Sequence, residues 1–114
     1  MAITGVHGLL YSSKPEELRD VLRDALGLTH VDAGGGWLIF ALPPAELGVH
    51  PGETPHHEIS LMCDDLDATV DELRGKGIVF RDDRQEARWG LTITMLLPGD
   101  LPVLLYEPRH PTAI

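Results

Sequence analysis

The alternation of apolar and polar residues between positions 56 and 77 predicts a strand that leads into a helix. Apolar residues alternate with polar or mixed ones over residues 59–63, which is the period of a strand with one apolar face. Asp65 stands where a helix N-cap is expected, and apolar residues then recur at helical spacing until Gly75 and Gly77. These helical positions are Leu66, Val70 and Leu73.

Apolar spacing and turn residues likewise predict further secondary-structure elements. A first helix should follow Ser12 or Ser13 as its cap, with Pro15 in its first turn and Gly27 at its end. The polar run 81–88 predicts a solvated loop. We expect further strands at residues 4–11, 37–42, 45–50, 78–80, 91–97 and 101–107.

The order of these elements repeats along the chain. A β-α-β-β(-β) half is followed, after a linker of Pro, Gly and Thr at 51–55, by a β-α-β-β-β half. His7 opens the first strand as Glu58 opens the fifth, and Glu46 corresponds to Pro102. We therefore predict one α+β domain over residues 1–114, with two tandem βαβββ modules at about 1–52 and 56–110. They should form a curved mixed sheet around a cleft, where small ligands usually bind.

Charge and composition exclude several classes of function. Eighteen acidic residues against nine basic ones leave no Lys/Arg cluster for phosphate contacts, so we expect no nucleic-acid partner. No apolar run is long enough to cross a membrane, and the first residues lack a signal-peptide pattern. The single cysteine, Cys63, fits a reducing cytoplasm and is expected to be a buried structural thiol.

Glu58 is the unusual residue of this pattern, because it begins a strand beside two histidines. It is either a solvated strand edge or the start of a metal site. His56 and His57 cannot both serve one site, since adjacent strand residues point to opposite faces.

The paired pattern resembles the vicinal oxygen chelate superfamily over nearly the whole chain. The resemblance also rests on EISLMCDDLDATVDELRGKGIVF at 58–80, on RWG at 88–90 and on LLYEP at 104–108. That superfamily includes glyoxalase I, extradiol dioxygenases, fosfomycin-resistance enzymes and bleomycin-binding proteins. The resemblance implies the glyoxalase-like fold, and a homodimer, since small two-module chains of this kind commonly pair. It leaves the activity open, because one fold hosts many functions.

In metal-using members, ligands come from the first residues of strands one and five and from cleft-facing residues of strands four and eight. The resemblance places three of them on His7, Glu46 and Glu58; the fourth falls on Pro102, which has no donor. Glu107 has the wrong alternation for the same cleft. Such a set suits a divalent nickel, zinc, manganese or iron ion, with Glu46 or Glu58 as catalytic proton shuttle.

Two functions therefore follow from the resemblance. One is a metal-dependent lyase, isomerase or dioxygenase that acts on a small molecule in the cleft. The other is a metal-free protein of the bleomycin-resistance kind, which sequesters an aromatic or cationic drug or metabolite. The candidates for contact with the small molecule are Trp89, Tyr11 and Tyr106, for which core packing or a dimer contact is the alternative.

Overall fold

Two sheets and two helices make up the part of the chain that the computed structural model describes, which is residues 7–49, 51 and 53–114. Helix α1 (Pro15–Asp20) continues into a π-helical turn (Val21–Ala25). The remaining elements are strands β1 (His30–Asp32), β2 (Leu38–Phe40) and β3 (Ser60–Met62), helix α2 (Leu66–Gly75), and strands β4 (Val79–Ala87), β5 (Gly90–Leu97) and β6 (Leu101–Pro108).

The second half of the chain confirms the predicted β-α-β-β-β order. Its four strands form one sheet in the order β3-β6-β5-β4, with β3 parallel to β6 and the other pairs antiparallel. Helix α2 begins where the pattern predicts, because the Asp65 carboxylate accepts a hydrogen bond from the Ala68 amide at 3.1 Å. It ends before Gly77, whose φ of 87° suits a glycine at a helix C-terminus.

One apolar core lies between this sheet and both helices. Helix α2 contributes its predicted apolar stripe, and α1 and its π-helical turn contribute Leu18 and Ala25 to the same core. Burial of this surface is the main stabilising term for the fold. The buried apolar residues from the sheet are Leu91, Ile93, Met95, Leu97, Val103 and Leu105.

Helix α1 differs from its prediction at the N-terminus. Its N-cap is Lys14, with no side-chain cap bond, so the predicted cap at Ser12 or Ser13 is wrong. The Ser12 hydroxyl instead donates to the Pro98 carbonyl at 2.6 Å and accepts from the Lys14 amide at 3.1 Å. The Ser12 side-chain oxygen, which the local sequence predicted as a helix cap, is therefore engaged in a contact with a turn 86 residues away.

The first half lacks two of its predicted strands within the described residues. Residues 7–11 and 45–49 form no strand, and residues 4–6 and His50 lie outside the described residues. Strand β1, which the sequence pattern did not predict, pairs antiparallel with β2. A strand requires a neighbour for its amides and carbonyls. The described residues of these two segments carry no ladder pairing, and the strands form two separate sheets where a single curved sheet was predicted.

The predicted loop at 81–88 is also wrong, because most of it belongs to β4. This strand lies at the edge of the sheet and most of its residues are exposed, so its polar composition resembled that of a loop. A bulge interrupts its pairing with β5 between Arg81 and Gln85, and Asp82 there has a φ of 64°. The strands predicted at 37–42 and 59–63 are shorter in the structure, where β2 and β3 have three residues each.

No helix among the described residues is long and apolar enough to span a membrane. The cytoplasmic location expected from the sequence stays a prediction.

Candidate functional site

Two aromatic rings meet where β5 begins and β6 ends. The Trp89 and Tyr106 ring centroids lie 5.5 Å apart at an interplanar angle of 65°, an edge-to-face pair. The Tyr106 hydroxyl donates to the Trp89 carbonyl at 3.2 Å, which fixes the two residues relative to each other. Trp89 nevertheless keeps 50% of its surface exposed. The pair is therefore rigidly held and still open to a ligand.

Gly90 makes this arrangement sterically feasible. In the β5–β6 ladder it lies opposite Pro108, next to the Tyr106 ring. A β-carbon at position 90 would lie 2.5 Å from both the Glu107 carbonyl oxygen and Cε2 of Tyr106. The glycine in the RWG stretch thus lets the tyrosine ring lie against the strand.

One further side chain completes this group, which we call the aromatic site and define as Trp89, Tyr106 and Glu46. The His110 ring lies 5.8 Å from the Tyr106 ring, tilted by 31°. Partial burial raises the pKa of the Tyr106 phenol, and the negative charge of Glu46 raises it further. Geometry links Glu46 to the same region, because its carboxylate accepts a hydrogen bond at 2.8 Å from the amide of Ala113, three residues after His110.

The predicted metal ligands do not gather in the described structure. His7 and Glu58 are exposed, and Glu46 accepts a hydrogen bond from the Ala113 amide at 2.8 Å. Among the described residues, no three His, Cys, Asp or Glu side chains form a group that could hold a metal ion. As they stand, His7, Glu46 and Glu58 therefore do not fit a shared metal, and the metal site stays a prediction of the sequence.

The segments that carry two of these ligands are nevertheless neighbours. A β-carbon on Gly8 would lie 2.9 Å from Cδ1 of Ile59, so the chain after His7 runs beside the chain after Glu58. Tyr11 is exposed, and no ring contact joins it to the aromatic site in the described chain.

Cys63 is half-buried, and its surroundings favour the neutral thiol. Burial raises its pKa, the charges of Glu107 and Asp64 raise it further, and a hydrogen bond with Thr69 lowers it only in part. A thiol held neutral is a poor nucleophile. The expectation of a structural cysteine agrees with this environment.

Glu107 faces away from the aromatic site, as its alternation predicts. Its Oε1 accepts the Leu66 amide at 2.9 Å, so this carboxylate satisfies a free amide at the start of α2. His110 was not identified from the sequence as a neighbour of this site, because residues 108–114 follow the last predicted strand and carry no recognisable pattern. The only signal was a histidine shortly after Tyr106 in a stretch between two prolines.

The fold agrees with that of the glyoxalase-like proteins, a small α+β domain with a mixed sheet. No protein-family model matches the chain, and no curated protein matches it. Several solved structures do. TnmS3, an antibiotic binding protein from Streptomyces sp. CB03234, is 23% identical with a TM-score of 0.68, over 96% of this chain and 99% of that one.

Two further structures extend the likeness. A member of the glyoxalase/bleomycin resistance protein/dioxygenase superfamily from Sphaerobacter thermophilus is 22% identical with a TM-score of 0.63, covering 93% of this chain and 98% of its own. Lactoylglutathione lyase from Agrobacterium tumefaciens is 13% identical with a TM-score of 0.65, over 93% of this chain and 95% of that one. These likenesses show the glyoxalase-like fold that the sequence resemblance implied.

Proposed function

We propose that the protein binds a small aromatic cation at the aromatic site, without chemical conversion. The observation that carries this proposal is the half-exposed Trp89 held edge-on to Tyr106, with the Glu46 carboxylate linked to the same region through the hydrogen bond that it accepts from Ala113. An aromatic face attracts both flat rings and cations, and a nearby carboxylate adds charge selectivity. The similarity of fold to an antibiotic binding protein supports a binding role.

Arg109, whose amide bonds to the Trp89 carbonyl, is already paired with carboxylates. Arg109 pairs with Glu86 at 2.8 Å and lies 3.8 Å from a Glu107 carboxylate oxygen. It is therefore poorly placed to attract an anion. The net charge of −9 also favours approach of a cation over an anion.

Tryptophan fluorescence tests this proposal, because the chain has only two tryptophans. Trp37 is exposed to a similar degree but lies in the β1–β2 hairpin. In a Trp37→Phe variant, proflavine, a flat aromatic cation, should quench the remaining Trp89 emission in a saturable manner. In the matched Trp89→Phe variant, quenching of Trp37 should not saturate.

Two control ligands test whether binding requires both an aromatic ring and a positive charge. Naphthalene-2-sulfonate, an aromatic anion, and tetramethylammonium, a cation without a ring, should each bind much more weakly than proflavine. Saturable binding to Trp37 alone, or equal binding of the anion, would contradict the proposal.

We also propose that the protein functions as a homodimer. Leu47 and Val49 are 94% and 97% exposed, whereas their counterparts 56 residues later, Val103 and Leu105, are 5% and 3% exposed. Identical positions of the repeat thus have opposite environments. The radius of gyration, 15.0 Å, also exceeds the roughly 13 Å expected for a compact domain of this length. A second copy of the chain would cover the exposed segment.

A metal-dependent lyase, isomerase or dioxygenase is the second candidate function. The adjacency of the His7 and Glu58 segments favours it, because it places an imidazole and a carboxylate on neighbouring stretches of chain. Elemental analysis of untagged protein after loading with nickel, zinc, manganese or ferrous iron is the test. Stoichiometric metal that is lost in His7→Ala and in Glu58→Ala would support this candidate; no bound metal would reject it.

A further inference from the structure

The last six residues, 109–114, which we call the tail, touch the aromatic site at three points. The Arg109 amide donates to the Trp89 carbonyl at 2.9 Å, and the His110 ring lies beside the Tyr106 ring, 5.8 Å between centroids. The Ala113 amide donates to Glu46 Oε2 at 2.8 Å, across 67 residues of sequence. The tail therefore contacts both the Tyr106 ring and the Glu46 carboxylate, which the proposed ligand would need.

These contacts hold the tail only weakly. All six residues of the tail are exposed, and Ile114 is not buried in the core. Two further hydrogen bonds join the tail to itself, from His110 Nδ1 to the Pro111 carbonyl at 2.7 Å and from the Thr112 hydroxyl to the Ile114 carbonyl at 2.8 Å. A segment with exposed hydrogen bonds and little apolar burial opens at low free energy.

We propose that the tail is a resident occupant of the aromatic site and that the ligand displaces it. This inference rests on the proposed function and deepens it, because the contacts of the tail define what replaces them. A flat ring takes the place of the His110 imidazole on Tyr106, and an N–H donor takes the place of the Ala113 amide at Glu46.

The length of the tail limits the ligand. Three residue steps separate His110 from Ala113, and an extended chain covers at most about 10 Å in that number of steps. The ligand class is therefore a flat nitrogen heterocycle or arylamine, with its ring and its N–H donor separated by a distance of this order. Proflavine, with two amino groups on a fused ring system, is a suitable probe.

The first measurement addresses the tail alone, without ligand. In a proton–nitrogen NMR spectrum of the full chain, the Ala113 amide should lie downfield of its random-coil position, because it donates to a carboxylate. Glu46→Gln should move it upfield, and the matched control Glu53→Gln, an exposed linker residue, should leave it in place. A random-coil shift in the wild type would overturn the docking of the tail.

The second measurement addresses displacement, in full-length variants made in the Trp37→Phe background. Ala113→Pro removes the amide donor and His110→Ala removes the ring, so each should bind proflavine at least threefold more tightly. Thr112→Ala, whose hydroxyl bonds only within the tail, should bind as the wild type does. Equal affinity in all four chains overturns the occupancy of the site by the tail. No saturable quenching in any of them rejects the proposed function itself.

Discussion

The exposure of Leu47 and Val49 leads to a quantitative prediction about assembly. Changing both to glutamate should convert a homodimer into a folded monomer. Full burial of one such side chain stabilises by roughly 1.5–3 kcal/mol. A two-fold dimer contains four of them, so the contact contributes at most roughly 6–12 kcal/mol. That is comparable with the whole association free energy of a dimer with a micromolar Kd, about 8 kcal/mol.

Sedimentation velocity over roughly 1–100 µM protein, a range that brackets such a Kd, measures the assembly state. The double variant should sediment as a monomer, and its far-ultraviolet circular dichroism should match that of the wild type. The matched control places the same change at the repeat-related positions, Val103→Glu with Leu105→Glu. Because those side chains are buried in the core, this control should unfold.

Two results would refute the reasoning. A wild-type protein that stays monomeric throughout this range has no second copy covering the segment. If Leu47→Glu with Val49→Glu unfolds a monomeric protein, those side chains are packed within their own chain.

Five further outcomes are expected. Glu107→Ala should lower the free energy of unfolding in urea by about 1.5–3 kcal/mol, because a charged hydrogen bond to the start of α2 is lost. Asp65→Ala, at the N-cap, should cost about 1 kcal/mol; equal losses would contradict this ranking. Gly90→Ala should cost roughly 1–3 kcal/mol and alter the near-ultraviolet dichroism of the aromatic site, since a β-carbon has no room there. Cys63 should react with a disulfide reagent more slowly than free cysteine at pH 8 until urea is added, because its pKa lies above the ordinary 9.0; equal rates would refute this. Tyr106 should ionise above its ordinary pKa of 10.0 in an ultraviolet titration, so its contribution to stability is present below pH 10 and is lost as the pH rises through the folded pKa.

The sequence predicted the second half of the chain well because its patterns are satisfied locally in the fold. The apolar stripe of α2 meets the buried faces of β5 and β6 within the same half. β4 was predicted poorly for a physical reason: as an edge strand with most residues exposed, it needs no apolar alternation. The alternation at 45–50 predicted a strand, but residues 45–49 form none, because a strand also needs a pairing partner that the pattern cannot supply.

The candidate site was predicted in part. Trp89 and Tyr106 were both expected to contact a ligand, and the structure brings them together. Glu46 was expected to face a cleft, but its contact with Ala113 is set by the path of the last residues. No local pattern encodes a contact across 67 residues, so neither that bond nor the position of His110 could be predicted.

The position of β6 bears on how the protein folds. β6 follows the other strands of its sheet in sequence, yet it lies inside the sheet, between β3 and β5. The β4–β5 hairpin can form early, since its strands are adjacent in the chain. β3 cannot pair until β6 arrives, and the register joins residues as distant as Ser60 and Leu104. The entropy of closing a loop of that length is lost before the parallel hydrogen bonds form. This step should therefore limit the folding rate. Until then β3 presents unpaired edges, and folding at low protein concentration should give the higher yield.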